Sequence, residues 1–234
     1  MIKYIFIFLC GAGLLACSSV NNISVESETT TVTDEYAVSS KIDSMIQPYQ
    51  EVLESEMNEI IAHAEKDFTS GRPNGSLNNW VTDLVLASQT RNVRLSIPVM
   101  VLLNFGGLRN SINQGDVTIG DIYKVMPFDN EIVWAELPMS ALKDIEGYLK
   151  KSGGEPIAGA TLENGILKLN SENKEAATFL VITSDYLMNG GDKMDFFSKR
   201  VSDKTPGVLL RDAMISEAKS QGTLLWNDDQ RIKL

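Results

Sequence analysis

Cysteine is nearly absent from this chain of 234 residues: there are two, Cys10 and Cys17, both close to the N-terminus. The body that follows has no thiol to pair, so it is held by its core and not by disulfides. Histidine occurs once, at His63. Two-metal hydrolytic chemistry needs several imidazoles and carboxylates to hold ions ~3.5–4 Å apart, and one histidine cannot supply them. No serine sits in a Gly-x-Ser-x-Gly turn. No Gly-x-Gly-x-x-Gly follows Leu103 and no Gly-Lys-Ser/Thr occurs, so dinucleotide and phosphate-loop readings lack their motifs. Basic charge is also scarce, with 21 Lys and Arg against 31 Asp and Glu and a formal charge of −10. Basic runs never exceed two residues, as at Lys199-Arg200. Non-specific nucleic-acid binding, which needs clustered cations, is therefore excluded. An anionic small ligand would need a positive pocket set into a negative surface.

The N-terminus carries what the rest lacks, a hydrophobic stretch with a positive start. Lys3 supplies the charge, and Ile2 to Leu9 with Gly11 to Ala16 form an apolar stretch too short for a membrane span and suited to an export signal. The stretch ends in Leu14-Leu15-Ala16-Cys17 and then Ser18-Ser19, which resembles a bacterial lipobox. On this reading residues 1–16 are a lipoprotein signal peptide and Cys17 is the lipidated first residue of the mature chain. An ordinary signal peptide cut nearby is the alternative. Loss of Lys3 moves the formal charge from −10 to −11. The expected location is the cell envelope, on its periplasmic or surface face, with membrane contact through the lipid alone. Residues 17–39, rich in Ser, Thr, Asn and Val, read as a flexible tether.

From residue 40 the pattern changes. Ile42, Met45, Ile46, Tyr49, Val52, Leu53, Met57, Ile60, Ile61 and Ala64 recur at three-and-four spacing, which predicts one long helix over 40–68 or two parted at Pro48, with the stripe as packing surface. A second helix is expected from Ser76 to about Gln89. The apolar run Ile97 to Leu103 has a buried strand's length. Further strands are expected at Ile132–Leu137, Gly165–Leu169 and Phe179–Thr183, and helices at Ser140–Lys150 and Gly207–Lys219. Gly71, Pro73, Gly75, Gly153, Gly154 and Pro156 mark surface turns. Residues 40–234 suffice for a single α+β domain with a mixed β-sheet flanked by helices.

Three stretches hold the groups that suit a nucleotide: Asn104-Phe105-Gly106-Gly107-Leu108-Arg109, Pro127-Phe128-Asp129-Asn130 and Asp185-Tyr186-Leu187-Met188-Asn189-Gly190-Gly191-Asp192. With Leu77-Asn78-Asn79-Trp80-Val81-Thr82-Asp83, in matching order and separation over residues 50–234, they resemble the C-terminal domain of the 5′-nucleotidase / UDP-sugar hydrolase family. The resemblance implies that Phe128 and Tyr186 clamp the nucleobase, a contact worth ~1–3 kcal/mol per base. It implies that Asp192 accepts from ribose hydroxyls, with Gly190 and Gly191 bringing it there. Asn104 and Asn130 would read the base edge, and Gly107 would let backbone approach the ligand. Arg109 would hold the substrate's acidic end through its planar fork. Arg72 is a further candidate, offset by about one residue from the family pattern. Asp129 takes a place often held by glycine and would either disfavour a nearby phosphate or face solvent. Taken singly, Phe128 also suits core packing, Asp192 an ordinary turn and Arg109 a surface ion pair.

The resemblance also implies what is missing. Full-length relatives carry a metallophosphatase domain that holds divalent metals; this chain has no expected metal or cofactor of its own. The expected function is thus a nucleotide- or nucleoside-binding part of a 5′-nucleotidase-type hydrolase, its catalytic half supplied by a separate metallophosphatase chain. The alternative is a stand-alone nucleotide-binding surface lipoprotein.

Overall fold

The computed structural model describes residues 27–31, 39–173 and 175–234. The signal segment 1–16, Cys17 and most of the tether 17–39 lie outside the described residues; 27–31 are exposed and have neither helix nor strand. Two compact units divide the chain at Met45/Ile46, and the fold below belongs to the second.

Helix α1 (Ser40–Met57) crosses that boundary and runs through Pro48 without being divided. No residue of it is buried, and Ile46, Tyr49, Val52 and Leu53 are all more than half exposed. Side-chain bonds one turn apart support it instead, from Gln47 to Glu51 at 3.0 Å and from Gln50 to Glu54 at 2.8 Å. The expected packing stripe is therefore unpacked among the described residues. The helix also stops early. Ile60–Ala64 is strand β1, which pairs antiparallel with β3 (Gly115–Thr118). The three-and-four spacing of Ile60, Ile61 and Ala64 fits a helix, but cross-strand hydrogen bonding to a segment over fifty residues away decided otherwise.

The other expected elements lie close to their predicted bounds. Helix α2 (Ser76–Thr90) buries Leu77, Trp80, Val81, Leu84 and Val85 along one face. It is followed by β2 (Val99–Leu102). The capping box of Thr118 and Asp121 starts α3 (Ile119–Val125). Next come β4 (Ile132–Pro138), α4 (Leu142–Ser152), β5 (Ile157–Ala158), β6 (Ala160–Glu163), β7 (Ile166–Leu169), β8 (Thr178–Ser184), the single turn α5 (Asp185–Met188), β9 (Ser202–Lys204) and α6 (Leu210–Gln221). The turn at 153–156 departs from expectation: Gly154, Glu155 and Pro156 are buried rather than on the surface.

The main sheet has the order β5-β2-β8-β4-β9, with β2 and β8 parallel and the other pairs antiparallel. Alternation along its central strands serves two cores. Val101, Leu180 and Ile182 face a cluster with α2, α3 and α6, whereas Met100, Leu102, Phe179 and Val181 face one with α4 and the 187–197 segment. Both faces are covered, which is why 179–182 reads as a continuous apolar run. The topology also sets the site. Val101 pairs with Ile182, and Ile132 pairs with Ser184. The chain therefore leaves β2, leaves β8 and enters β4 at one end of the sheet.

Candidate functional site

At that end the three stretches meet. Asn104, Gly106, Gly107, Arg109, Phe128, Asn130, Tyr186 and Asp192 line one cavity of about 260 Å³. Gly191 packs against Tyr186, and neither it nor Arg72 lines the cavity itself.

Each side chain arrives by a local device. Asn104 leads into a 3₁₀ turn at Phe105–Gly107, closed by Gly107 N–H donating to the Asn104 carbonyl at 3.0 Å. The Asn104 side chain lies against that turn: a Cβ on Gly107 would stand 2.8 Å from its Oδ1. Ser184 caps the turn that carries Tyr186. Asp185 ties it to the neighbouring loop, its Oδ1 accepting from the backbone N–H of Glu131 at 3.1 Å and of Tyr186 at 2.8 Å. Gly191 has no room for a side chain, since a Cβ would stand 2.5 Å from Tyr186 Cε1. These two glycines make space for protein side chains that form the cavity.

Asp192 is the most constrained group. It has a left-handed backbone, φ +52°, as does Lys193 after it at +63°. Non-glycine residues adopt that region at some cost, and such outliers cluster at functional sites. Its side chain accepts from Asn104 Nδ2 at 2.7 Å and from the Tyr186 hydroxyl at 2.8 Å. Its carbonyl accepts from the Tyr148 hydroxyl at 3.1 Å. A carboxylate offers about four lone-pair sites, so two stay without a partner among the described residues. The hydrogen bond to Asp192 raises the Tyr186 hydroxyl above its ordinary pKa. Burial, aided by the charges of Glu155 and Asp192, pushes Tyr148 up to about 12. Both phenols are thus neutral donors at any physiological pH.

Arg109 has no carboxylate within ion-pair distance among the described residues, and its guanidinium lies 5.2 Å from the Phe128 ring centroid. Asp129 pairs with Arg211, and its own side chain is 79% exposed to solvent. Arg72 is engaged elsewhere: its guanidinium lies 4.9 Å from the Phe105 ring and bonds buried Glu155 at 2.5 Å. Burial raises the Glu155 pKa, against the lowering by the Phe105 N–H and by Arg72. The other Glu155 oxygen accepts from Phe105 N–H at 2.7 Å. Through Glu155, Arg72 anchors the turn that follows Asn104. His63 lies in β1 and bonds Asp116 at 3.2 Å, away from the cavity. Among the described residues, no group of three or more His, Cys, Asp or Glu is placed to hold a metal ion.

Sequence reasoning missed Glu155, Tyr148 and Arg211. Glu155 looked like part of a surface turn, and Arg211 reaches Asp129 across 82 positions, a separation that carries no local signal. A larger groove of about 770 Å³ lies between α2, β6 and the C-terminal segment. Its charged wall is already paired, Arg231 with Asp83 at 2.6 Å, and no aromatic ring lines it.

Comparison with known proteins bears on this arrangement. Residues 68–209 match the family model of the NAD nucleotidase C-terminal domain. The chain is 23% identical over 170 residues to a 5′-nucleotidase of Vibrio parahaemolyticus, covering 72% of this chain and 30% of that protein. It is 24% identical over 184 residues to protein UshA of Escherichia coli, covering 71% and 32%. Among solved structures, a 5′-nucleotidase precursor from Thermus thermophilus superposes with a TM-score of 0.68 at 21% identity, over 82% of this chain and 42% of that one. The NAD nucleotidase of Haemophilus influenzae superposes at 0.60 and 16% identity, over 83% and 41%. The chain thus spans less than half the length of each of these proteins.

Proposed function

Because the chain belongs to the family of NAD nucleotidase C-terminal domains, we propose that it is the nucleotide- or nucleoside-binding part of a 5′-nucleotidase-type hydrolase in nucleotide catabolism. The observation that carries this reading is the convergence of two aromatic rings, an oriented acid and a guanidinium unpaired among the described residues in one cavity. The base inserts between Phe128 and Tyr186. Arg109 covers one face of Phe128, so the base stacks on the other. Asn104 and Asn130 offer donors and acceptors to the base edge. Asp192 takes the ribose hydroxyls on its two open lone-pair sites. Arg109 then holds the acidic end of the ligand. The cavity lies below the roughly 300–1,000 Å³ of drug-sized sites, so the sugar and phosphate extend along its rim.

Bond cleavage belongs to a separate metallophosphatase chain that supplies the divalent metals. The single histidine favours this division of labour. The exposed apolar stripe of α1 is the surface such a chain would cover. We further propose that Cys17 carries lipid and holds the protein at the cell envelope. Loss of labelling by a radioactive fatty acid in Cys17→Ala would support that, and retained labelling would refute it.

Calorimetric titration with AMP, adenosine and UDP-glucose tests the binding role. Saturable heat with at least one is expected, and silence with all three overturns the reading. Released phosphate from AMP with Mn²⁺ should be nil for this chain and appear on adding the metallophosphatase partner. Release by the chain by itself would end the split-enzyme proposal.

A further inference from the structure

The segment 126–130 supplies two walls of the cavity, Phe128 and Asn130, yet belongs to no helix or strand. Pro127 has no N–H to tie it down. What fixes it comes from the far end of the chain. Leu210 N–H donates to the Asn130 carbonyl at 2.9 Å, and Ile132 N–H to the Val208 carbonyl at 2.9 Å. Arg211, in the first turn of α6, sends Nη1 to the carbonyls of Met126 and Phe128 at 3.4 and 3.2 Å. Its Nη2 pairs with Asp129. The guanidinium lies 4.1 Å from the Tyr123 ring, and its side chain is only 7% exposed. Nε is buried without a partner among the described residues.

A buried cation is tolerated only where its surroundings answer it. Here the answering groups on its two amino nitrogens all come from residues 126–129. Fixing the guanidinium therefore fixes that segment, and with it the backbone from which Phe128 projects.

We propose that Arg211 and Asp129 are the positioning pair for base recognition: they touch no ligand, but they set Phe128 for the stack. This rests on the nucleotide reading above.

The test is a double-mutant cycle read by AMP titration. Asp129→Asn is exposed and leaves the two carbonyl contacts of Arg211, so the variant should fold. It should weaken AMP about tenfold, because the bond from Arg211 keeps an acceptor but loses the carboxylate's charge. In a Phe128→Ala background the same change should cost almost nothing. Arg211→Lys, which keeps the charge but not the planar fork, should behave like Asp129→Asn. A merely structural pair would cost the same in both backgrounds, and that result would overturn the proposal. Amide hydrogen exchange of the ligand-free protein gives a readout independent of nucleotide. Exchange at 126, 131, 132 and 210, the hydrogen-bonded amides that hold the segment, should accelerate in both variants while 179–183 is unchanged. If the wild type binds no nucleotide, the ligand reading fails on its own, and unaltered exchange at 126, 131, 132 and 210 refutes the positioning role separately.

Discussion

Asp192 holds its place against its own backbone preference. The left-handed conformation at Asp192 and Lys193 persists because Asn104, Tyr186 and Tyr148 fasten the residue from three directions. The tyrosine hydroxyl is what distinguishes Tyr186 from a plain phenyl ring, since it couples the ring to the Asp192 carboxylate. Tyr186→Phe should keep the stack but release one oxygen of Asp192. A loss of about 1 kcal/mol in AMP affinity is expected, checked by calorimetry, whereas Tyr186→Ala should lose ~1–3 kcal/mol. Gly191→Ala is a second probe, because the added Cβ meets the ring at 2.5 Å and the Tyr186 carbonyl oxygen at 2.6 Å. It should cost as much affinity as Tyr186→Ala and also lower the melting temperature, since the backbone of the turn must shift. Normal affinity in Gly191→Ala would show that the ring does not need its observed position.

Among the elements, α3 tests how a short helix is set in place. Its seven residues are too few to be stable alone, and the reciprocal bonds of Thr118 and Asp121 define its start. Thr118→Ala should cost about 1 kcal/mol in urea unfolding. Asp121 adds a pH dependence. Burial would raise its pKa, but donation from the Thr118 backbone and hydroxyl and the nearby Lys124 outweigh that and hold it below the ordinary value. The unfolded chain therefore binds the proton more tightly. Stability from the box is complete above the unfolded pKa of about 4 and is lost as pH falls through the lower, folded one. Asp121→Asn should flatten that acid limb. Strands β4 and β8 and helix α2 were legible because each carries an unbroken periodic or apolar signal. Strands β3 and β9 and helix α3 were not, being short, polar at several positions and defined by distant partners.

At the level of the whole molecule, the chain's last residues close the fold. Arg231 donates to Thr82 Oγ1, the Ile157 carbonyl and Asp83 at 3.2, 2.8 and 2.6 Å, binding the C-terminal segment to α2 and β5. Arg231→Ala should lose about 1–3 kcal/mol of stability in urea unfolding. AMP affinity should be unaffected, since none of these contacts reaches the cavity. A loss of affinity without a loss of stability would mean that the larger groove communicates with the site. The same long reach explains why Arg211, Glu155 and Tyr148 escaped sequence reading. Their partners lie 82, 83 and 44 positions away, and no period or motif spans such distances.

By itself the sequence determined the mixed composition of the fold, the three stretches rich in nucleotide-type groups and the lack of imidazoles for a two-metal centre. Those properties are local: periodicity, glycine placement and residue counts need no knowledge of neighbours. Tertiary structure decided the rest. It made 60–64 a strand because β3 offered it hydrogen bonds, and left the α1 stripe uncovered among the described residues. It brought the three stretches to one end of the sheet through the parallel pairing of β2 with β8 and the antiparallel pairing of β8 with β4. It turned Arg72 toward Glu155 and matched Asp129 with Arg211. Which charge answers which depends on distances that only the folded chain sets, because Coulomb and hydrogen-bond energies act through space and not along sequence.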